Sequence, residues 1–150
     1  SSDHRDRVRS YIELGQSEGA ELVVGGETSG PGYFLTPALL TNARPEMRFM
    51  REEIFGPVAG VMTFTDEEEA TALANGTEYG LTASVWSENA GRAHRMAKSL
   101  QTGVVWLNCH NRFDVAVPFG GVKQSGHGRD HGLEAIMEFT STKAVWLDHG

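Results

Sequence analysis

The segment TASVWSENAGRAHRMAKSLQTGVVWLN, Thr82 to Asn108, has the clearest alternation of extended and helical patterns in this chain. It opens on a short β-branched and apolar run, passes through a segment with helical periodicity, and closes on a second apolar run. The apolar helical face consists of Ala93, Met96, Ala97 and Leu100. Gly103 follows as a stop signal. A strand, a helix and a strand with short connections predict a crossover unit with parallel strands.

The residues before this unit repeat the pattern. PVAGVMTF, Pro57 to Phe64, is typical of a buried strand, and TDEEEATALAN follows with Thr65 and Glu68 in capping-box register. Acidic residues in the first turn favour a helix start at this point. Strand, helix, strand, helix and strand together predict an α/β fold, a parallel sheet with helices packed on its faces in three layers.

The two ends of the chain are simpler. Residues Asp3 to about Glu18 have the spacing of a helix that lies on a core, and two short extended segments, ELVVGG and YFLTPALL, follow. After Asn108 a glycine-rich segment without periodicity runs to His131, and irregular segments of that length in a compact domain are usually functional. A short helix around Leu133 to Phe139 and a final strand, TKAVWL, complete the prediction.

Composition excludes several classes of protein. The chain has 150 residues and a net charge of −7, so it would repel nucleic acid and anionic lipid. No apolar run approaches the roughly 20 residues that cross a bilayer, which predicts no membrane span. A single cysteine cannot form an internal disulfide, and the cytoplasm is therefore the expected compartment. The start SSDHRDRV, without methionine, predicts an excerpt of a longer protein.

The one cysteine, Cys109, has two interpretations. It follows a buried strand and precedes His110, and such a pair could supply a thiolate nucleophile. Adjacent residues of an extended segment point to opposite faces, however, and no helix N-terminus follows that would lower the pKa of the thiol. The local pattern therefore favours a packed and catalytically inert cysteine.

Neither a phosphate loop nor a metal site is favoured by the glycine-rich segment. Lys123 is followed by Gln124, whereas a Walker loop needs Ser or Thr there, and the later glycines are one residue too far apart for a dinucleotide fingerprint. His127 and His131 are four residues apart, but the interleaved glycines disfavour a helix and no third ligand is nearby. We predict no metal site.

REEIFGPV, Arg51 to Val58, brings two carboxylates and an aromatic residue together ahead of a core strand. A carboxylate can accept hydrogen bonds from both hydroxyls of a ribose, and a phenylalanine can pack on a flat ring. The same residues would also suit an ordinary surface turn. The composition of the segment leaves both interpretations open.

Four segments in order resemble signatures of the NAD(P)-dependent aldehyde dehydrogenase superfamily: REEIFGPV, ANGTEYGLTASVWS, GVVWLN and PFGGVKQSGHGRDHG. The resemblance covers nearly the whole chain and indicates the carboxyl-terminal third of such an enzyme, an incomplete catalytic domain over residues 1–139 with an oligomerisation strand and tail over 140–150. It implies oxidation of a small-molecule aldehyde with NAD or NADP. It also implies a homodimer or homotetramer, in which the Thr142 to Leu147 strand pairs across a subunit interface.

The resemblance also implies roles for individual residues. Glu53 is similar to the glutamate that holds the nicotinamide ribose, and Phe55 to the aromatic residue that positions the nicotinamide. Four residues correspond to the wall of the substrate tunnel: Cys109, Asn111, Phe113 and Phe119. The catalytic cysteine and the general-base glutamate of the family lie upstream of the segment that Ser1 begins, so no catalytic residue is expected here and the fragment is expected to be inactive alone. The rival hypotheses are a non-catalytic interaction module and a thiol hydrolase that uses Cys109.

Overall fold

The computed structural model describes all 150 residues and divides into two compact units, Ser1–Leu73 and Ala74–Gly150. The helices are α1 (Ser2–Ser17), α2 (Arg48–Arg51), α3 (Glu67–Asn75), α4 (Ala90–Ser99) and α5 (Gly132–Glu138). The strands are β1 (Glu21–Val24), β2 (Ala38–Thr41), β3 (Val58–Gly60), β4 (Tyr79–Gly80), β5 (Thr82–Val85), β6 (Val104–Leu107) and β7 (Val122–Lys123). None of the helices has the length and apolar content that crossing a membrane requires.

Helix α1 confirms the prediction for the amino-terminal segment. The Ser1 hydroxyl accepts a hydrogen bond from the His4 amide at the helix start. At the other end the Gly19 and Ala20 amides turn back to carbonyls of the last turn, and Gly19 adopts a φ of +101°. The apolar face of α1 packs on the core of the first unit, where Val8 is 2% exposed.

The first unit contains a sheet in the order β1-β2-β3, with β1 antiparallel and β3 parallel to β2. The central strand alternates buried and half-buried residues, as expected of a strand covered on one face. Its Leu40 is fully buried and packs with Met47 and Phe49, which come from α2 and the turn before it. This core fixes the position of α2 and of the segment that follows it.

The second unit contains the predicted crossover. Strands β5 and β6 are parallel, from Thr82 beside Val104 to Val85 beside Leu107, and α4 connects them. Asn89 caps α4 by accepting a hydrogen bond from the Arg92 amide. Three residues of the predicted inner face are confirmed, because Ala93 and Leu100 are buried against both strands and Met96 packs beside them. The fourth, Ala97, is half-buried and lies outside this cluster. Strands β4 and β7 form a separate antiparallel pair.

One parallel sheet through all three predicted strands is wrong for this chain. Strand β3 pairs with β2, β5 pairs with β6, and the two pairs belong to different sheets. The α/β class and the parallel pairing of β5 with β6 stand, whereas three layers on one sheet are not formed. Periodicity shows which segments are extended, but it does not specify their hydrogen-bonding partners. The apolar segment YFLTPALL supplies β2, which takes the place beside β3.

The start of α3 differs by one residue from the predicted capping box. Asp66 Oδ1, not Thr65, accepts the hydrogen bond from a helix amide, that of Glu69, at 2.8 Å. The Glu69 carboxylate, not that of Glu68, reaches back and accepts from the amide and the hydroxyl of Thr65, each at 2.7 Å. Thr65 and Asp66 are both suitable N-cap residues, and Glu68 and Glu69 are both suitable partners three residues later. The sequence pattern therefore cannot distinguish the two registers.

Asp66→Ala should therefore lower the free energy of unfolding by about 1 kcal/mol, because the Glu69 amide loses its capping partner. Glu68→Gln is the matched control, since its carboxylate has no part in the cap, and it should change stability by less than about 0.5 kcal/mol. Chemical denaturation of the two variants measures both values. An equal effect of the two substitutions would contradict the observed register.

The carboxyl-terminal strand is the other correction. Helix α5 confirms the predicted short helix, but residues 140–150 form no strand. Val145, Trp146 and Leu147 are at least 77% exposed. An extended segment becomes a strand only where a neighbouring strand accepts and donates its backbone hydrogen bonds, and no other segment of this chain does so. Pairing of this segment across a subunit interface stays a prediction.

Candidate functional site

The segment Glu52–Gly56, which we call the corner, connects α2 to β3 and carries the predicted Glu53 and Phe55. Two side chains of α1 hold its backbone. His4 Nε2 lies 2.7 Å from the Phe55 carbonyl oxygen, and Arg7 Nη2 donates to the Glu53 carbonyl at 2.9 Å. Gly56 packs directly against α1, where an added Cβ would lie 2.5 Å from Val8 Cγ2. The corner is thus shaped on one face of α1.

The two adjacent carboxylates of the corner have different environments. Glu52 Oε2 accepts a hydrogen bond from the Tyr11 hydroxyl at 2.7 Å, and Glu52 Oε1 pairs with Arg48 Nε at 2.7 Å. Hydrogen bonds from Arg48 and then Tyr11 hold the pKa of Glu52 below its ordinary value. The Glu53 carboxylate is exposed and makes no hydrogen bond or ion pair. Glu52 therefore supports the structure, and Glu53 is available to a ligand.

This difference predicts a pH dependence of stability. A lowered folded-state pKa means that Glu52 contributes stability above its ordinary pKa of 4.5, and this contribution is lost as the pH falls through the lower folded value. The melting temperature of Glu52→Gln should therefore lie below that of the parent chain at neutral pH, and the difference should shrink as the pH falls below 4.5. Thermal melts across that range measure the difference. A gap that stays constant with pH would show that the ion pair is not its cause.

The Phe55 side chain is presented to solvent from an unusual backbone. Phe55 is 73% exposed, and its φ is +57°, in the left-handed region that residues with a Cβ adopt rarely. A large exposed ring beside an unpaired carboxylate gives a flat apolar surface and an anionic acceptor within two residues. That combination can hold a ligand that has hydroxyl groups next to a planar ring.

The second group of predicted site residues lies in the loop between β6 and β7: Cys109, Asn111, Phe113 and Phe119. Asn108, with a φ of +52°, accepts a hydrogen bond from the Ser87 amide at 2.8 Å and donates one to the Ser87 carbonyl at 3.0 Å. These bonds connect the segments that follow β5 and β6. They fix the backbone directly before Cys109. Cys109 is half-buried and unpaired in a disulfide.

His110 is engaged elsewhere than on Cys109. Its Nδ1 lies 2.8 Å from Ser84 Oγ, and its ring packs edge-on against Trp106 with centroids 5.3 Å apart. A nucleophilic pair would need a hydrogen bond between the thiol and the imidazole, and the structure has none. The geometry therefore supports the inert interpretation of Cys109.

The irregular loop after β6 brings Phe113 and Phe119 into contact, but it does not bring Asn111 to them. The ring centroids of Phe113 and Phe119 are 5.1 Å apart in an edge-to-face arrangement. The centroids of Trp106 and Phe113 are 5.7 Å apart, also edge to face. The indole Nε1 of Trp106 donates to the Arg112 carbonyl at 2.8 Å, which holds the loop to β6. A cavity of about 290 Å³ lies against both phenylalanines, and its wall includes neither Cys109 nor Asn111. Asn111 is exposed, with a φ of +55°.

The lysine of the phosphate-loop pattern considered above has a structural role. Lys123, in β7, donates from Nζ to the carbonyls of Asn75 and Thr77, both at 2.9 Å, and so caps the end of α3. Its ammonium is committed to the protein and does not face a phosphate site. Within the chain no group of three His, Cys, Asp or Glu side chains is arranged to hold a metal ion.

Several residues that shape the site were not predicted: His4, Arg7, Tyr11, Ser84 and Trp106. A partial signal exists for the α1 residues, because His4, Arg7, Val8 and Tyr11 have the spacing of one helical face. That spacing marks a face that contacts something, but it does not say which segment. No local signal connects Ser84 with His110, which are 26 residues apart.

The comparisons with known proteins agree on one family. The model of the aldehyde dehydrogenase family matches residues 1–145. The chain is 47% identical over 144 residues to the aldehyde dehydrogenase of Agaricus bisporus and 45% identical over 144 residues to the NADP/NAD-dependent aldehyde dehydrogenase PuuC of Escherichia coli. It covers 29% of each of these relatives, and they cover 95% and 96% of this chain.

A solved structure shows the same similarity. The NAD+ complex of an aldehyde dehydrogenase from Bacillus cereus superposes with a TM-score of 0.94 at 42% identity and covers 100% of this chain. This chain covers 31% of that protein. It thus spans about 30% of the length of the relatives it matches.

Proposed function

This chain belongs to the aldehyde dehydrogenase family, and on that premise we propose that it is the carboxyl-terminal third of an enzyme that oxidises an aldehyde to a carboxylic acid with NAD or NADP. The share of its relatives that it spans and the order of its signature segments support this assignment. The reactive cysteine and the general base then belong to the rest of the enzyme. The chain alone is inactive in this proposal.

The corner fits a dinucleotide that carries a ribose beside a planar ring. One observation carries the assignment: of two adjacent carboxylates, Glu52 is bonded to Tyr11 and Arg48, and Glu53 is exposed and unpaired. In the proposed role Glu53 accepts hydrogen bonds from the ribose hydroxyls, and the Phe55 ring limits the movement of the nicotinamide. When bound, NAD or NADP supplies the hydride acceptor, and the chain supplies its orientation.

The loop after β6 is proposed to face the aldehyde. Phe113 and Phe119 provide an apolar wall, which would exclude water from the reacting carbon. Asn111 and Cys109 lie outside the cavity beside these rings, and only the family resemblance supports a place for them in the tunnel of the complete enzyme. Cys109 takes no covalent role in this proposal. The engagement of His110 with Ser84 supports this assignment.

We also propose that the complete enzyme is a homo-oligomer and that it is located in the cytoplasm. The apolar side chains of residues 145–147 are exposed in the single chain, which supports pairing of the Thr142 to Leu147 segment with a second subunit in a homodimer or homotetramer. The free Cys109 supports the proposed cytoplasmic location, because reducing compartments keep thiols unpaired. Neither nucleic acid nor membrane is a proposed partner.

The same exposed segment favours the alternative, a non-catalytic module that binds a partner through this surface. The sequence encoded upstream of Ser1 separates the two. An upstream cofactor domain with a cysteine loop, and aldehyde-dependent reduction of NAD+ or NADP+ by the complete product, would support the enzyme. An initiator methionine directly before Ser1 with no upstream domain would support the module and overturn our proposal.

A further inference from the structure

The left-handed backbone of Phe55 is not stabilised by the Phe55 side chain within this chain. A left-handed backbone is unfavourable for a residue with a Cβ and persists only where the surrounding structure holds it. Phe55 is 73% exposed in this chain, so no packing of its ring among these 150 residues holds the backbone at its φ of +57°. The contacts that hold it must therefore act on the peptide groups around it.

Those contacts come from α1. His4 Nε2 lies 2.7 Å from the Phe55 carbonyl oxygen, and because a carbonyl only accepts, Nε2 is the protonated nitrogen that donates. Arg7 donates to the carbonyl of Glu53, two residues earlier. A change of Phe55 to an ordinary backbone conformation would rotate the peptide plane that carries its carbonyl and break the bond from His4. The His4 bond and the left-handed conformation therefore support each other.

The side chains involved lie on one helical face, at the i, i+3 and i+4 positions of His4, Arg7 and Val8. Val8 fills the space beneath Gly56, so the end of the corner cannot shift toward α1. Two hydrogen bonds and one close contact thus fix the backbone of the corner at three residues, Glu53, Phe55 and Gly56. The side chains of Glu53 and Phe55 remain free to contact a ligand.

We propose that His4 is a positioning residue for hydride transfer, which orients the Phe55 ring and the Glu53 carboxylate by holding the Phe55 carbonyl through its Nε2–H. This inference rests on the proposed function of the corner. His4 itself is exposed, so its replacement is compatible with folding. Its loss should affect the rate of hydride transfer more than the affinity for the cofactor, because the groups that contact the cofactor are retained and only their orientation is released.

The test uses the complete enzyme with His4→Ala, His4→Gln and the control Arg9→Ala. Arg9 lies on the same helix and pairs with Glu13, away from the corner. His4→Ala should slow single-turnover hydride transfer about tenfold, with a smaller change in the dissociation constant for NAD+. His4→Gln should restore most of the rate, because its amide can donate to the same carbonyl. Crystal structures of the variants should show a left-handed Phe55 in His4→Gln and not in His4→Ala.

A purely structural role would lower the melting temperature of both His4 variants without separating their rates, and it would overturn the proposal. So would a parental rate in His4→Ala, or a left-handed Phe55 in that variant. The backbone of Phe55 in His4→Ala and the rate of Glu53→Gln distinguish a failure of the role of His4 from a failure of the proposed function of the corner. If Glu53→Gln has the parental rate, the proposed function of the corner fails, while the φ of Phe55 in His4→Ala still decides whether His4 holds the corner.

Discussion

Glu53→Gln in the complete enzyme is expected to slow single-turnover hydride transfer about tenfold or more, the effect of losing hydrogen bonds to a charged acceptor. Glutamine keeps the size and shape of the side chain, but it replaces one acceptor oxygen with a donor and removes the charge. It therefore cannot offer a separate acceptor oxygen to each of the two ribose hydroxyls, as the carboxylate can. The Glu53 carboxylate has no partner in the chain, so the substitution should leave the free energy of unfolding nearly unchanged.

Rapid mixing of enzyme, aldehyde and NAD+, followed by the absorbance of the reduced cofactor, measures this rate. Glu46→Gln is the matched control, because it makes the same chemical change at an exposed carboxylate that pairs with Arg44. That variant should retain the parental rate. A parental rate for Glu53→Gln as well would remove the ribose assignment, whatever the effect on steady-state constants.

Gly103→Ala is expected to destabilise the second unit by about 3 kcal/mol or more, at the upper end of the range for overpacking. Gly103 begins the turn into β6, and its amide donates to the Gly80 carbonyl. A Cβ at this position would overlap the carbonyl oxygen of Gly120, a backbone atom that no side-chain rotation can move away. The glycine-rich segment would have to shift away from β6.

Chemical denaturation measures this change, and Gly91→Ala is the control within the same unit. Gly91 lies in α4, and an added Cβ there would meet only side-chain atoms, Asn89 Oδ1 at 3.3 Å and Arg95 Nη1 at 3.6 Å. Alanine is the better helix former, so this control should be neutral or more stable by up to about 1 kcal/mol. A Gly103→Ala chain as stable as the parent would show that the glycine-rich segment is not packed against this turn.

Local features of the fold could be predicted from the sequence. Helices α1 and α4 follow from apolar spacing and stop signals, and the parallel pairing of β5 with β6 follows from the short helical connection between them. These features depend on residues close in sequence. The partner of β3 and the state of residues 142–147 depend on which strands meet, and periodicity does not contain that information.

The candidate site divides in the same way. The type of residue at Glu53 and Phe55 indicated a ligand surface, and the family resemblance assigned their roles. The sequence could not show which of two adjacent glutamates is free, because that depends on Tyr11, 41 residues from Glu52. It could not show the left-handed Phe55 either, since the bond from His4 spans 51 residues.

The structure of the complete enzyme with NAD+ bound decides whether Glu53 holds a ribose of the cofactor. We expect the hydroxyls of a ribose within about 3 Å of the Glu53 carboxylate oxygens, the distance of a hydrogen bond, with the nicotinamide beside the Phe55 ring. A ribose bound elsewhere while Glu53 faces solvent would contradict the account. So would an acyl group on the sulfur of Cys109.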